Sequence, residues 1–349
     1  MAGVTYKCPN CGAYLTFDPE TQQWKCPFCS SAFPESELKG KAEAFQKEAD
    51  KEAEQSSGAQ VVYHCPSCGS EIMTDETTVA THCYYCHSPV VLQGKLTADM
   101  KPDEVLPFTI GREKAIEEIS EWIRTRKFVP KKFFSKAQIQ EMSGVYYPHF
   151  VSECQTEGVL DGEATTSDVF DEGKYVVTNT RHYHVRREGR FVFKDILRPA
   201  LSKANRKLTE GVHPFPLEDA KPFSGAFLSG FLAERRDLEA DSYRQEIEQE
   251  LQGYMNSMLR DTASQYQTCS ASTSSAMKNI KTKYVLLPTW VLTYPNKKNK
   301  DDPYYYVMNG CTGQVCGKLP VDQGRLWRHG LLAGLIVAAL FCALAYFLF

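Results

Sequence analysis

Eight of the thirteen cysteines stand in four Cys-x-x-Cys pairs near the N-terminus: Cys8-Pro-Asn-Cys11, Cys26-Pro-Phe-Cys29, Cys65-Pro-Ser-Cys68 and Cys83-Tyr-Tyr-Cys86. A Cys-x-x-Cys turn aims two thiolates at one point, and two such turns complete a closed tetrahedral four-sulfur site for Zn²⁺. Fourteen residues separate the inner cysteines in each unit, so one motif is used twice. The expected ligands are Cys8, Cys11, Cys26 and Cys29 in one zinc ribbon, and Cys65, Cys68, Cys83 and Cys86 in a second. Together they would hold two structural Zn²⁺ ions. Four thiolates leave no open position for water, which argues against catalytic zinc. In a reducing compartment paired Cys-x-x-Cys argues for metal rather than for bridges. Cys83-Tyr-Tyr-Cys86-His87 also fits a c-type haem attachment pattern, but that chemistry needs no partner pair upstream. His64, His82 and His87 crowd the second ribbon as alternative ligands. The other cysteines (Cys154, Cys269, Cys311, Cys316 and Cys342) are scattered.

Short hairpins must position these thiolates. The glycine after Cys11 and Cys68 suits a tight turn whose backbone amides point at sulfur. Strands are expected over residues 13–17 with 24–26, and over 72–74 with 79–81. Each ribbon is too small to bury a core, so metal must replace one. Residues 35–55 (ESELKGKAEAFQKEADKEAEQ) are rich in helix formers and nearly devoid of apolar residues, as in a solvated helix or spacer. The chain divides into zinc ribbon 1 (1–34), a charged helical linker (35–60), zinc ribbon 2 (61–95), an α+β cytoplasmic body (96–325) and a transmembrane tail anchor (329–349). On such a spacer the ribbons would expose Tyr14, Trp24, Tyr84 and Tyr85 for protein contacts.

In the body, Ala115, Ile116, Ile119, Trp122 and Ile123 share one helical face. Basic residues after it (Arg124, Arg126, Lys127) suit a helix C-terminus. Strands are expected over 146–154, 159–166, 175–187 and 190–193, with turns at Glu172-Gly173 and Glu188-Gly189. Pro148 predicts an edge or a bulge. His182 and His184 lie two apart on one strand face and read as cross-strand partners on a polar surface. Residues 235–262 form a helix with Tyr243, Ile247, Leu251, Tyr254 and Met258 as its apolar stripe. The Ser/Thr-rich stretch 265–276 reads as a loop, and 284–294 with 304–309 as a hairpin that turns again at Asn309-Gly310. The fold class is α+β: two small N-terminal four-cysteine zinc ribbons, a body with antiparallel strands, and a C-terminal transmembrane helix.

Composition narrows the function. The net charge of -3 gives no global field for nucleic acid, and 42% hydrophobic residues excludes wholesale disorder. Gly313-x-x-x-Gly317-Lys318 falls one residue short of a phosphate loop, and Leu319 stands where Ser or Thr is needed. No nucleophile elbow, His-Glu-x-x-His or dinucleotide fingerprint occurs, so no enzyme is expected. Residues 331–349 (LLAGLIVAALFCALAYFLF) carry no charge and no proline, and match the ~30 Å core of a bilayer. Arg325, Arg328 and His329 just upstream orient the body toward the cytoplasm. The start of the chain has no signal-peptide core. The expectation is a single-pass, tail-anchored protein of the cell membrane, its lipid contact made by residues 331–349.

The order of parts continues through Leu287-Pro288-Thr289-Trp290-Val291-Leu292-Thr293-Tyr294, then Val307-Met308-Asn309-Gly310-Cys311-Thr312-Gly313, Gly317-Lys318-Leu319-Pro320 and the span. It resembles a bacterial family of zinc-ribbon, single-span membrane proteins encoded beside phage-shock-protein-A-like and SPFH (flotillin-like) proteins. That resemblance implies a membrane-stress adaptor or scaffold whose ribbons dock SPFH or phage-shock-type partners, with the Asn-Gly-x-Thr-Gly segment as a hairpin. The ribbons alone are similar to those of the primosomal replication helicases. This sustains an alternative, a membrane-tethered nucleic-acid binder, for which the sequence offers only separated basic clusters.

Overall fold

A computed structural model describes residues 6–38, 61–65, 68, 71–74, 77–83, 88–92, 100–130, 142–294 and 304–348. Its spine is three long strands. Strand β9 (Ser143–Glu172) has 30 residues and turns at Gly173, φ +70°, into antiparallel β10 (Tyr175–Pro199). Strand β13 (Thr268–Tyr294) lines the other side of β9, antiparallel, from the Thr165↔Thr268 pair to Ser143↔Val291. At ~3.3 Å per residue the spine runs about 100 Å.

Two sequence expectations are corrected here. No turn interrupts β10 at Gly189, which lies directly opposite Gly158 in the ladder. The stretch 265–276 is not wholly a loop: from Thr268 it is strand, with exposed Thr268, Ser270, Ser272 and Ser274 on one face. Threonine and alternating small residues fit a pleated surface once a partner strand lies alongside. Pro148 sits within this central strand, where the flank of β9 passes from β12 (Leu232–Glu234) at Tyr146 to β10 at His149.

Both flanking strands shift register beside residues 152–156 of β9, β10 between Phe193 and Ile196 and β13 between Met277 and Asn279. Asp195 takes φ 57° at the first bulge. Bulges bend a strand and raise its twist, and here they mark where the sheet leaves the body as an arm. Helix α3 (Arg244–Asp261) packs along one arm face through Ile247, Leu251, Met255 and Leu259, all buried. This stripe differs from the expected one, since Tyr254 and Met258 are exposed. Glycine decides the contact. A Cβ on Gly158 would lie 2.6 Å from the Met255 sulfur, so a larger residue there would have to displace that side chain.

The body forms around the other end of the spine. Strand β8 (Glu104–Val105) runs parallel to β13 and pairs with β11 (Lys221–Pro222); β14 (Tyr304–Asn309) pairs with β13 and β15 (Val315–Gly317). On the opposite flank β12 joins β6 (Thr78–His82), which pairs with β7 (Pro89–Val91). Phe108 stacks on Phe231 at 4.3 Å between centroids and meets Trp290 at 5.1 Å. Asn309 is fully buried. Its Nδ2 donates to the Val212 and Pro214 carbonyls, both at 2.9 Å, and its Oδ1 accepts from the amides of Cys311 and Thr312. The Asn-Gly-x-Thr-Gly segment is therefore a structural clamp in a hairpin. Helix α1 (Arg112–Arg124) closes the core with Ala115 and Ile119, and α2 (Arg206–Glu210) is a short turn capped by Asn205.

Helix α4 (Gln323–Leu348) starts beside the end of α1: the Asp322 amide donates to the Phe128 carbonyl, and the rings of Phe128 and His329 meet edge to face. From Leu326 on, every α4 residue whose side chain is described is exposed.

Candidate metal centres

The first cluster is assembled by strands β1 (Thr16–Asp18), β2 (Gln23–Lys25) and β3 (Ala32–Phe33). Two knuckle turns face each other. In one, the Cys8 amide donates to the Ala13 carbonyl and the Gly12 amide to the Cys8 carbonyl; in the other, Cys26 pairs with Ser31 and Ser30 with Cys26. The residue four past the first cysteine takes a left-handed conformation in both, Gly12 at φ 76° and Ser30 at φ 59°. Glycine adopts that geometry freely, and serine is held there by the knuckle's bonds.

All four sulfurs lie within 4.8 Å of one another. Cys8 and Cys29 are separated by 3.6 Å and Cys11 and Cys26 by 3.5 Å, Sγ to Sγ. A disulfide would require about 2.05 Å. A metal–sulfur bond of about 2.3 Å, typical of zinc, gives a tetrahedral edge of about 3.8 Å, close to the observed spacing. The thiol environment also suits a cation. The Ser31 hydroxyl and amide hold the Cys29 thiol down to about 6. At Cys11 the Ala13 amide pulls the same way, but the thiols of Cys26 and Cys29 push it up to about 12. Four neighbouring thiols cannot all ionise without a positive charge among them.

The second cluster brings together Cys65, Cys68 and Cys83, again within 4.8 Å, with Cys68 and Cys83 3.7 Å apart. The Cys83 amide donates to the Ser88 carbonyl, which repeats the closure seen at Cys8 and Cys26. The fourth expected ligand, Cys86, lies outside the described residues, as do His87, Tyr84 and Tyr85. Strand β4 (Val61–His64) pairs with β5 (Glu71–Thr74), so the expected partnership of 72–74 with 79–81 is replaced: β6 turns to β7 and β12 instead. Among the described residues, only these two clusters bring three or more metal-type ligands so close.

Neither ribbon stands apart from the body. The sequence reading places Trp24 at the surface; in the structure it is 1% exposed. Its ring packs against Phe17 at 5.0 Å and Phe227 at 5.1 Å, and its indole N–H donates to the Ala226 carbonyl at 2.8 Å. The Phe17 amide donates to the Ser229 carbonyl, the Ser229 hydroxyl to the Leu15 carbonyl, and the Gln22 side chain to the Phe108 carbonyl. Leu15, Phe17, Trp24, Val79, Ala80 and Val91 share one core with Phe108, Tyr146 and Trp290. An indole sealed in this way cannot stack on a nucleobase. At the knuckle surface Phe28 remains 68% exposed, with Tyr14 edge-on to it at 5.4 Å.

Other polar groups resolve into structural pairs. His184 lies 3.2 Å from Asp161 on the open face of the arm, and Arg186 reaches the same carboxylate at 3.6 Å. At the base of the arm a cleft of about 370 Å³ is lined by Asp195, Arg198, Glu210, His213, Glu250 and Tyr254 among others. Buried Arg198 is neutralised there by Glu246 and Glu250. Burial holds His149 down to about 4 and lowers His213 as well. Sequence reasoning misses this network because its members come from four separate segments. Cys311 and Cys316 pack into an apolar cluster with Leu106, Val212 and Leu287.

No family model matches the chain, and no solved structure matches it. The chain is 28% identical over 343 residues to a Bacillus subtilis (strain 168) protein, uncharacterized protein YdjG, covering 96% of each.

Proposed function

We propose that this chain is a non-enzymatic, membrane-anchored adaptor in which two structural Zn²⁺ sites brace a body that holds a β arm out to protein partners. The observation that carries this reading is an apolar surface at each end of one rigid sheet. At one end α4 is bare along its apolar stretch, with none of its residues from Gln323 to Cys342 buried against the protein. At the other end the hairpin tip presents Val169, Phe170, Tyr175 and Val176, which are 65%, 50%, 76% and 70% exposed. Large exposed apolar residues grouped together mark interaction sites.

The foot of α4 lies at the body end of the sheet. Lys318, five residues before α4, accepts through its carbonyl from the Tyr306 hydroxyl, and Tyr306 pairs with Leu292 at the body end of β13. Basic residues gather at the foot of α4: Arg325 and Arg328 on the helix, Arg126 and Lys127 beside Phe128. That clustering supports an anchor entering the membrane from the cytoplasmic side, with the tip about 100 Å along the spine from the body end. The ribbons serve the body as supports rather than as free modules on a tether. Four thiolates per metal leave no position for substrate or water, in keeping with a structural role.

The partner is proposed as an SPFH or phage-shock-type protein, following the resemblance of the sequence. The test is co-purification of the full chain from solubilised membranes, with and without V169S, F170S, Y175S and V176S combined at the tip. The variant should stay in the membrane fraction, retain its metal and lose the partner. A partner retained in full by the tip variant would refute docking at the arm.

A further inference from the structure

We infer that neighbouring copies of this chain join side by side along their arms, the free edge of β13 in one copy pairing in parallel with the free edge of β10 in the next. Over residues 175–193 β10 is bonded only to β9, and over 268–283 β13 is bonded only to β9, among the described residues. Each arm therefore carries two long edges with no partner strand, along which the Arg260 side chain donates to the Ala271 carbonyl and the Arg187 side chain to the Arg186 carbonyl. Soluble sheets blunt such edges with short strands, proline, inward charges, bulges or a covering element. From Thr268 to Met277 the β13 edge has few of these: the run TCSASTSSAM holds no charge and no proline, the first register shift follows it, and the Arg260 side chain reaches it at the Ala271 carbonyl.

The occupant is a second copy for two reasons. β10 and β13 both run from the tip toward the body, so copies anchored in one bilayer with their arms in the same sense bring β13 of one beside β10 of the next, in parallel. This step rests on the anchoring proposed above. Charge selects the same pairing. The β10 edge carries Arg187 together with Arg181, Arg186 and Arg190, which pair with Asp168, Asp161 and Glu157, so two β10 edges would crowd charged groups together, whereas β13 brings no charge of its own from Thr268 to Met277. Pairing unlike edges also satisfies both edges in every copy, and its repetition builds a ring or an array.

Cysteine cross-linking of the full chain in its membrane tests the arrangement. Ser272 and Arg186 are both exposed on the open face and both pair with Asp161 across β9 and its neighbours. Within one copy a whole strand separates them, about 9–10 Å, too far for a disulfide. The S272C/R186C chain, with S270C/R186C and S274C/R186C to sample the stagger, should give a ladder of trimers and larger species above the background of the unsubstituted protein. In S272K/S274K, where lysines would face the neighbour's arginines, the native assembly should be lost by light scattering while the chain stays folded. Dimers without higher species, or no cross-link at any stagger, would overturn the inference. Sedimentation with membranes reads the anchoring independently: a chain that sediments but does not cross-link defeats the edge pairing alone. A chain that fails to sediment defeats the anchoring and the parallel arrangement with it.

Discussion

Truncating Trp24 to alanine tests whether the first ribbon is part of the body's core. The indole is buried between Phe17 and Phe227, and its N–H satisfies the Ala226 carbonyl. Removing a buried tryptophan costs about 3–5 kcal/mol in lost transfer and cavity terms. Leaving the carbonyl unpaired adds about 1 kcal/mol or more. The expected loss is thus about 4–6 kcal/mol, a large share of the stability of a typical domain. Trp24→Phe keeps most of the packing and loses the hydrogen bond, so it should cost less. The assay is urea unfolding of the full chain in detergent, with amide exchange followed by mass spectrometry. Protection should fall in Gly225–Leu228, in β12 and in the Trp290 region, far from Trp24 in sequence, as well as in the ribbon. The reasoning is refuted if Trp24→Ala leaves those segments and the unfolding midpoint unchanged while only the ribbon's amides open. That result would mean a ribbon folding by itself beside an independent body.

Other outcomes follow from the same contacts. Elemental analysis of protein purified without chelator should find two zinc ions per chain, and Cys8→Ser should remove one; because Leu15 and Phe17 belong to the shared core, the melting temperature of the body should fall too, and an unmoved body would count against the coupling. His149 is buried and held from 6.5 down to about 4, so its neutral form belongs to the folded state. The stability this provides is present above pH 6.5 and is lost as pH falls toward 4, on the order of 3 kcal/mol at most, with His213 contributing in the same direction. Urea midpoints measured against pH should slope through that window and flatten in His149→Leu; an equal slope in the variant would reject the assignment. Asn309→Ala removes a clamp on four backbone groups and should cost about 2–4 kcal/mol by thermal unfolding, whereas a change below about 0.5 kcal/mol would contradict the clamp. Ending the chain at Gly330 should free it from sedimenting membranes; continued pelleting of that form would assign membrane attachment to another surface.

The features legible from the residues alone are those of short-range spacing. Cys-x-x-Cys fixes two thiols on one turn whatever surrounds it, so both clusters and most of their ligands were legible, down to the glycine at position 12. An uncharged apolar run is equally local, as was the Asn-Gly hairpin near the C-terminus. The rest emerges only in the fold, because it depends on partners far away in the chain. The polar stretch from Thr268 is strand because β9 lies alongside it, and nothing in Ser/Thr composition announces a partner a hundred residues earlier. Gly189 looks like a turn residue by itself, but it faces Gly158 across the ladder, and Gly158 makes room for the Met255 and Leu259 side chains of α3. Trp24 reads as a surface aromatic on a ribbon too small to bury it. It is buried because the segment around Phe227, two hundred residues later, supplies the wall and the carbonyl that the ribbon lacks.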